Sequence, residues 1–374
     1  FKLMQLLFAE FGFDGISTDL TSGKRSLLDE LLEFAAFATI CDVMPLREEN
    51  RILVRHGLEL MKQTQNVGLH ALMEVNQILP WQDGKLGAFH IGFVLGPCLN
   101  ASGRLDSAQR AMELLDSKTR EAAVAQAAFL KQLNDSRKEM TEEYVKIAVE
   151  MIESGPLKDD RVLVVFLPDC HESIAGIIAG RIRERYYRPT FVLTRGEEGV
   201  KGSARSIEWY HMYEEMTKCS SFFTKYGGHK MAAGLSMPEE NLEQFRKEIN
   251  EKSGITPEDL NEKIAIDMQL PFECVNEKFI GELAVLEPFG KGNEKPVFAD
   301  KNLRVRQASI IGKNRNVLKM VLEDANAYSY DAIMFRADSM NVPKREQNIS
   351  IVYYPSINEF NGKKTIQFVV TEWK

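Results

Sequence analysis

The sequence has 374 residues, of which 44% are hydrophobic and 27% charged, proportions typical of a soluble globular protein. This length accommodates two or three domains, each with its own core. The formal net charge of −7 excludes a protein coated in basic surface, although it is compatible with a local basic groove. No apolar run is long enough to span a membrane and the N-terminus lacks the order of a signal peptide, so we expect a cytoplasmic protein with no membrane partner.

The cysteines and the first residues set two further expectations. Five scattered cysteines form no Cys-x-x-Cys pair, which argues against a disulfide framework and a zinc site and favours free thiols, mostly buried. The chain opens on the apolar run Phe1–Phe8, at helical spacing and with no cap before it. We interpret this start as the interior of a helix, and the chain as a fragment without its N-terminal part.

Residues 1 to about 115 are predicted to be mainly helical. Leu27 to Ala38 has apolar residues at helical spacing, and Asp42 follows just ahead of Pro45. A carboxylate that projects from the end of an apolar segment suits a hard divalent cation. The same position also suits a helix cap or a salt-bridge partner.

The segment from Gly96 to Asp106 combines glycine, asparagine and arginine, and it predicts a loop that starts the next helix. Arg104 in this segment can reach a phosphate group, or it can pair with Asp106 or Glu113. Both roles are open from local sequence.

A long helix is predicted from Thr119 to about Ile152, because this stretch is rich in alanine, glutamine, glutamate and lysine and has no glycine or proline. Ser154-Gly155-Pro156 ends it. We expect the helix to connect two domains.

The next part of the chain begins with a strand, a polar turn and a helix. Arg161 to Leu167 is a buried-strand pattern, His171 lies in the turn, and an apolar helix and the strand Arg188 to Thr194 follow. This order predicts a βαβ unit with a parallel strand pair and an anion site at the helix N-terminus. A helix from Glu239 to Asn250 closes the domain.

The stretch from Lys201 to Gly234 is interpreted as an anion-binding surface. Small residues from Gly202 to Ala204 permit close backbone approach, Arg205 offers a planar fork of donors, and Ser203 and Ser206 add hydroxyl groups. The loop Gly227-Gly228-His229 supplies a second close approach and a group for proton transfer. The alternative is an ordinary loop with a satisfied histidine.

From about Ile264 onward, short alternating runs predict several strands and a small barrel. The charged residues between Lys301 and Lys319 are all basic, and they include Arg304, Arg306 and Lys313. A basic stripe on a small barrel suits a nucleic-acid backbone, or it is merely a solvated basic face.

Six groups of residues together resemble the bacterial RecJ single-stranded-DNA exonucleases of the DHH phosphoesterase superfamily, over essentially the whole chain. In chain order they are Asp42 to Leu46 with Glu49 to Arg51; Gly96-Pro97 with Leu99 to Ala101 and Gly103 to Leu105; His171 with Gly176-Ile177 and Gly180-Arg181; Gly202 to Ser206; Gly227 to Lys230 with Ala232 to Leu235; and Leu286 to Gly290 with Gly292, Asn293 and Pro296.

The resemblance implies a multidomain α/β fold. It comprises the helical remainder of a DHH domain (residues 1–118), a connecting helix (119–155), an α/β DHH-associated domain with a mixed sheet (156–255) and an OB-fold barrel (260–374). The implied activity is 5′ to 3′ hydrolysis of single-stranded DNA in repair and recombination. A monomer is implied, with a single-strand-binding protein and a helicase as further partners.

The resemblance also implies roles for individual residues. Asp42 would be the last carboxylate ligand of a manganese or magnesium site, His229 would lie beside the scissile phosphate, and His171 would be a neighbouring catalytic residue. The residues implied to bind substrate are Asn100, Arg104, Ser203, Arg205, Ser206, Gly227 and Gly228. The basic stripe adds Lys301, Arg304, Arg306 and Lys313 as predicted substrate contacts on the barrel.

One departure from the family concerns the metal. Neither an Asp-x-Asp motif nor an Asp-His-His triplet occurs in the 374 residues. Asp42 alone cannot hold two ions roughly 3.5–4 Å apart. We therefore expect this chain by itself not to hydrolyse DNA. The alternatives are a related enzyme that cuts oligoribonucleotides or nucleotide phosphates, and a non-catalytic DNA-binding protein.

Overall fold

The computed structural model describes residues 1–11, 26–197, 199–312, 315–335, 342–360 and 362–374. The chain divides into two compact units. The first unit comprises Phe1–Gln63, Leu86–Ile91 and Ile264–Lys374, and the second comprises Thr64–Lys85 and Gly92–Lys263. No helix within the described ranges combines the length and the apolar character that crossing a membrane requires.

Helices dominate the first part of the chain and strands the last. The α-helices are α1 Lys2–Phe11, α2 Leu27–Cys41, α3 Glu48–Met61, α4 Val67–Val75, α5 Pro80–Asp83, α6 Ala88–His90, α7 Gly96–Leu105, α8 Gln109–Leu115, α9 Arg120–Ser154, α10 Glu172–Tyr186, α11 Met212–Thr217, α12 Leu242–Lys252 and α13 Glu277–Leu283. The strands are β1 Leu163–Phe166, β2 Thr190–Arg195, β3 Val200–Arg205, β4 Lys225–Gly228, β5 Ala232–Met237, β6 Met268–Gln269, β7 Phe298–Ile311, β8 Val317–Glu323, β9 Ser329–Phe335, β10 Asn348–Phe360 and β11 Lys363–Trp373.

Local sequence fixes the ends of several helices. Ser26 and Asp29 form a capping box at the start of α2, in which each side chain accepts from the backbone N–H of the other residue. Thr119 caps α9 by accepting from the N–H of Ala122. The predicted long helix is confirmed, since α9 runs for 35 residues without a break.

The segment from Gly96 to Leu105 is helical throughout, so the predicted loop there was wrong. Pro97 lies in the first turn of α7, which directly follows a π-helical stretch at Ile91–Leu95. Cys98 and Ala101 are buried on one side of the helix. Burial of this face outweighs the low helix propensity of the glycines.

The second unit contains a five-stranded mixed sheet in the order β1-β2-β3-β5-β4. β1 and β2 are parallel and joined through α10, as predicted, and the remaining pairs are antiparallel. One face of the sheet packs against α11 and α12, with Phe191 stacked edge-on to Phe245 at 5.3 Å between ring centroids. On the other face, α9 and α10 bury apolar residues of β1 and β2 such as Val165 and Val192.

A barrel of five strands forms the C-terminal part of the first unit. The strands follow the order β7-β8-β9-β11-β10, and pairing of β10 with β7 closes the barrel. Its core is aromatic, with Phe272 stacked on Phe368 at 3.7 Å between ring centroids and Tyr353 fully buried beside them. The predicted barrel is confirmed, although β7 and β10 are far longer than the predicted short runs.

Candidate nucleic-acid interface

The half of the mixed sheet formed by β3, β5 and β4 has one face lined by small and basic residues. Ser203 on β3 is the register partner of Gly234 on β5, and Gly234 is in turn the partner of Gly227 on β4. These three positions therefore form a row across three strands. Ser203 is half-buried and both glycines are exposed, so backbone and a hydroxyl group are accessible along this row.

A groove of about 440 Å³ runs over this face. Its walls include the Ser203–Gly234–Gly227 row together with Glu172 and Ala175 from the first turn of α10. A groove of this size is large enough for one or two nucleotide units. The small side chains along its floor allow a ligand to approach the strands closely.

Two arginines extend this surface along α10. The guanidinium of Arg205 lies against Gly176, because a Cβ built on that glycine would be 2.8 Å from Arg205 Nη2. Arg104 donates from Nη1 to the carbonyl of Ser173 at 2.7 Å. Burial, and then the charges of Arg104 and Arg183, lowers the pKa of Arg205. This concentration of positive charge favours an anion.

The structure separates Arg104 from the carboxylates that the sequence offered as partners. Asp106 and Glu113 instead pair with Arg110, at 3.5 and 3.6 Å. Arg104 is exposed, and its single described hydrogen bond to Ser173 leaves donors available for phosphate. Asn100, one turn earlier on α7, is also exposed.

The two predicted catalytic histidines have different surroundings. His171 is the N-cap of α10, and its Nδ1 lies 2.7 Å from Ser173 Oγ and accepts from the Ser173 N–H. This contact gives His171 a structural role at the helix start. His229 is exposed at the end of β4, where its backbone N–H donates to Ala232 at 2.8 Å. Within the described part of the chain its imidazole has no hydrogen-bond partner.

One predicted phosphate contact, Ser206, has its hydroxyl engaged within the fold, and Gly202 and Ala204 on β3 face the covered side of the sheet. Ser206 is only 1% exposed, and its hydroxyl donates to the carbonyl of Tyr210 at 2.6 Å. Ala204 is fully buried, and a Cβ on Gly202 would lie 2.2 Å from Leu193 Cδ2. Alternation along β3 directs Gly202 and Ala204 to the covered face, opposite Ser203. Gly228 likewise has no room for a side chain, because a Cβ would meet Ala233 Cβ at 2.5 Å.

Asp42, the predicted metal ligand, is an exposed residue that ends α2 in the first unit. Its backbone N–H donates to Ala38 and Ile40, and no described residue donates a hydrogen bond to its carboxylate. Val43 after it has φ 54°, a value that β-branched residues rarely adopt. Among the described residues no three His, Cys, Asp or Glu side chains are grouped to hold a metal ion. The residues present therefore do not fit a two-metal centre.

The turn after Asp42 is held by the segment that precedes the barrel. The N–H of Leu46 donates to the carbonyl of Lys291 at 2.7 Å, and Arg47 Nε donates to Gly292 at 2.9 Å. Arg51 Nη2 donates to the carbonyls of Val285 and Leu286 at 3.2 and 2.9 Å. Two of the six groups of residues noted in the sequence therefore bind each other within one unit. We call this arrangement the clasp.

The basic residues of the barrel are less available than their sequence indicates. Arg306 donates to Glu323 at 2.7 and 2.8 Å and to Glu346 at 3.0 Å, so its guanidinium is already paired. Arg304 lies 3.8 Å from Glu346. Lys301 is exposed on β7. Lys313 lies outside the described residues.

Strand register adds residues that sequence reasoning missed. Lys201 and Lys225 both have Ser236 as their register partner, and all three line the groove. Their only sequence signal was the alternation of small and polar residues along β3 and β5. The alternation indicates a shared face only when the strand order is known, because the order shows which residues are neighbours.

Two family models match this chain: the DHHA1 domain over residues 159–253 and the RecJ OB domain over residues 266–372. The chain is 34% identical over 383 aligned residues to the single-stranded-DNA-specific exonuclease RecJ of Bacillus subtilis, covering 98% of this chain and 48% of that protein. It is 33% identical to RecJ of Haemophilus influenzae, covering 99% of this chain and 65% of that protein. The chain thus spans about half to two thirds of these relatives.

Solved structures give the same relationship. RecJ from Thermus thermophilus in complex with Mg²⁺ matches 92% of this chain and 52% of its own, with a TM-score of 0.79 and 27% identity. The same protein in complex with Mn²⁺ also matches with a TM-score of 0.79. The mixed sheet with its open groove and the closed barrel correspond to the two matched domain models. Over nearly its whole length the chain is therefore similar to RecJ exonucleases, and it contains the two domains that the matched family models describe.

Proposed function

We propose that the whole protein is a single-stranded-DNA-specific exonuclease and that this chain supplies the surfaces that hold the strand. The single observation that carries this proposal is the Ser203–Gly234–Gly227 row, which lies in a groove between basic side chains. The Ser203 hydroxyl can donate to a non-bridging oxygen of a phosphodiester, and the two glycines let the strand approach the sheet closely. The names of the relatives support single-stranded DNA as the ligand.

We propose that Ser203 in this groove, together with Arg205 and Arg104 on the surface beside it, binds phosphate at or near the strand end. His229 is proposed to lie beside the scissile phosphate, where its exposed imidazole can donate to an oxygen or move a proton. Gly227 and Gly228 are proposed to bring the chain close to the strand, and Asn100 to contact it from α7. Ser206 is left out because its hydroxyl is occupied.

We further propose that the whole protein uses Mn²⁺ or Mg²⁺, as the matched structures are named for these ions. A bound divalent ion would polarise the phosphate and activate water. Asp42 is proposed as one ligand, but the further ligands of a two-metal site are not supplied by the described residues. We therefore expect the purified chain to show no Mn²⁺-dependent nuclease activity. Measurable activity that Asp42→Ala abolishes would contradict this.

The barrel is proposed as a second binding surface for the DNA strand, with Lys301 and Arg304 as its contacts. A second binding surface favours a long single strand over short oligoribonucleotides or nucleotides, for which it would be unnecessary. We propose domain limits at 1–118, 119–155, 156–255 and 260–374. We also propose that the whole protein is a cytoplasmic monomer that digests the strand from 5′ to 3′ during repair and recombination. Its proposed partners are a single-strand-binding protein and a helicase.

Equilibrium binding tests the proposal. A fluorescent 5′-phosphorylated oligothymidylate should bind the chain with strong salt dependence, and Arg104→Gln and Ser203→Ala should each weaken binding. A matched control is Arg110→Gln, which removes a charge from the neighbouring helix α8 where it is already paired. If Arg104→Gln and Ser203→Ala bind as tightly as Arg110→Gln, the groove is not the DNA site.

A further inference from the structure

Lys201, Ser236 and Lys225 form a second row across β3, β5 and β4, one step along the strands from the Ser203–Gly234–Gly227 row. We propose that this second row is a subsite for the neighbouring phosphate of the same strand, with Lys225 as its principal contact. The inference rests on the proposed function, because it extends the same groove by one nucleotide.

The spacing of the two rows supports this assignment. Residues two apart on a strand share a face, and the rows are therefore about 6.7 Å apart. Strands lie about 4.8 Å apart, so the backbones at Lys201 and Lys225 are about 10 Å from each other, with Ser236 between them. Two long flexible cationic side chains at this separation can converge on one phosphate group above the serine hydroxyl.

The groove is continuous between the rows. Ser203, Gly227 and Gly234 of the first row and Lys201, Lys225 and Ser236 of the second all line it. A strand bound at the first row therefore reaches the second without leaving the groove. The second row is thus a place for the next unit of the ligand and not a separate surface.

The two lysines of the second row differ in whether they already form an ion pair. Lys201 Nζ lies 2.8 Å from Glu172 Oε2, so it can bind phosphate only by exchanging one anion for another. Lys225 is exposed, and within the described ranges its ammonium has neither an ion-pair nor a hydrogen-bond partner. Lys225 is thus the cation that a phosphate can engage without breaking an existing contact. Glu172 is the one carboxylate among the described residues of the groove wall, and it opposes an anion there.

The first experiment compares two competitors, the mononucleotide pdT and the dinucleotide pdTpdT, for displacement of a labelled oligothymidylate. In the unmodified chain pdTpdT should compete more strongly than pdT, because it reaches both rows. Lys225→Gln should reduce this advantage about fivefold and leave the inhibition constant of pdT, corrected for the affinity of the labelled strand, unchanged. Glu172→Gln should increase the advantage. Lys218→Gln is the matched control, since Lys218 is exposed and pairs with Glu215 on α11, away from the groove.

A second readout is the salt dependence of oligothymidylate binding. Each phosphate contact to a single strand contributes about 0.7 to the slope of log K against log salt concentration. Lys225→Gln should lower the slope by about that amount, and Lys218→Gln should not. If Arg104→Gln weakens binding while Lys225→Gln changes neither slope nor dinucleotide advantage, the second subsite is refuted and the proposed function stands. If neither substitution has an effect, the proposed function fails as well.

Discussion

The guanidinium of Arg51 on α3 donates a 2.9 Å hydrogen bond to the backbone carbonyl of Leu286, ahead of the barrel. The same group also binds the carbonyl of Val285. Leu46 is 3% exposed in this region, and a Cβ built on Gly290 would lie 2.7 Å from its Cδ1. The clasp therefore combines charged hydrogen bonds with a close-packed apolar contact that needs glycine. It fixes the turn that carries Asp42.

We expect Arg51→Ala to lower the free energy of unfolding by about 2 kcal/mol, because hydrogen bonds from a charged donor to two backbone carbonyls are lost. Urea denaturation followed by circular dichroism measures this loss. Arg55→Ala, an exposed position on the same helix, is the control and should change the unfolding free energy by less than about 0.5 kcal/mol. Equal stability of the two variants would show that the clasp contributes little.

Gly227 and Gly228 are adjacent but should respond oppositely to alanine. A Cβ on Gly228 would meet Ala232 O at 2.6 Å and Ala233 Cβ at 2.5 Å, so Gly228→Ala should cost about 1–3 kcal/mol of stability. A Cβ on Gly227 meets no atom within 4 Å. Gly227→Ala should therefore fold normally and weaken oligothymidylate binding by narrowing the groove. Thermal unfolding and anisotropy titrations of both variants provide the measurement, and unchanged DNA binding in Gly227→Ala would place the strand elsewhere.

On the barrel, Lys301 and Arg306 should contribute differently to DNA binding. Lys301→Ala is expected to lower the salt slope of binding by about 0.7, because an exposed cation is removed from β7. Arg306→Ala should leave the slope nearly unchanged, since the guanidinium is paired with Glu323 and Glu346. Titrations at several salt concentrations distinguish the two. A larger effect for Arg306→Ala would mean that DNA displaces the glutamates.

The five thiols should differ in reactivity with a disulfide reagent at pH 8. Cys274 is exposed, whereas burial and then Asp42 raise the pKa of Cys41 to about 11, and burial raises the pKa of Cys170 to about 11. A raised pKa leaves less thiolate at a given pH. Cys274 should therefore react rapidly at pH 8, and the reaction of Cys41 should become faster as the pH approaches 10. Cys274→Ser should remove the rapid phase. Rapid labelling of Cys41 at pH 8 would contradict the raised pKa of this thiol.

Local sequence predicted the elements that depend on local chemistry. The capped, glycine-free stretch from Arg120 to Ser154 and the apolar strands β1 and β2 follow from propensity and periodicity alone. The helix at Gly96–Leu105 did not, because tertiary burial overrides the loop character of its glycines. The ends of β7 and β10 were also missed, since barrel pairing extends strands beyond their alternating cores.

Site residues could be predicted where the residue type itself indicates the chemistry. They could not be predicted where their position depends on strand register. Ser203 and Arg205 were predicted as phosphate contacts from their motif, and the structure places Ser203 in the wall of the groove. Ser206 has the same chemistry, but it is buried and its hydroxyl donates to the carbonyl of Tyr210. The basic run that includes Arg306 gave no sign of the glutamates elsewhere in the chain that neutralise it. Lys225 could be assigned to the groove only from its register pairing with Ser236.

Hydrogen exchange measured with and without a single-stranded oligothymidylate tests the central claim most directly, because it locates the strand on the chain. We predict that DNA slows exchange in peptides covering β3, β4 and β5, at residues 200–205 and 225–237, as well as in β7 of the barrel. Protection of the barrel peptides alone, with exchange in β3, β4 and β5 unchanged, would contradict the assignment of the groove as the DNA site.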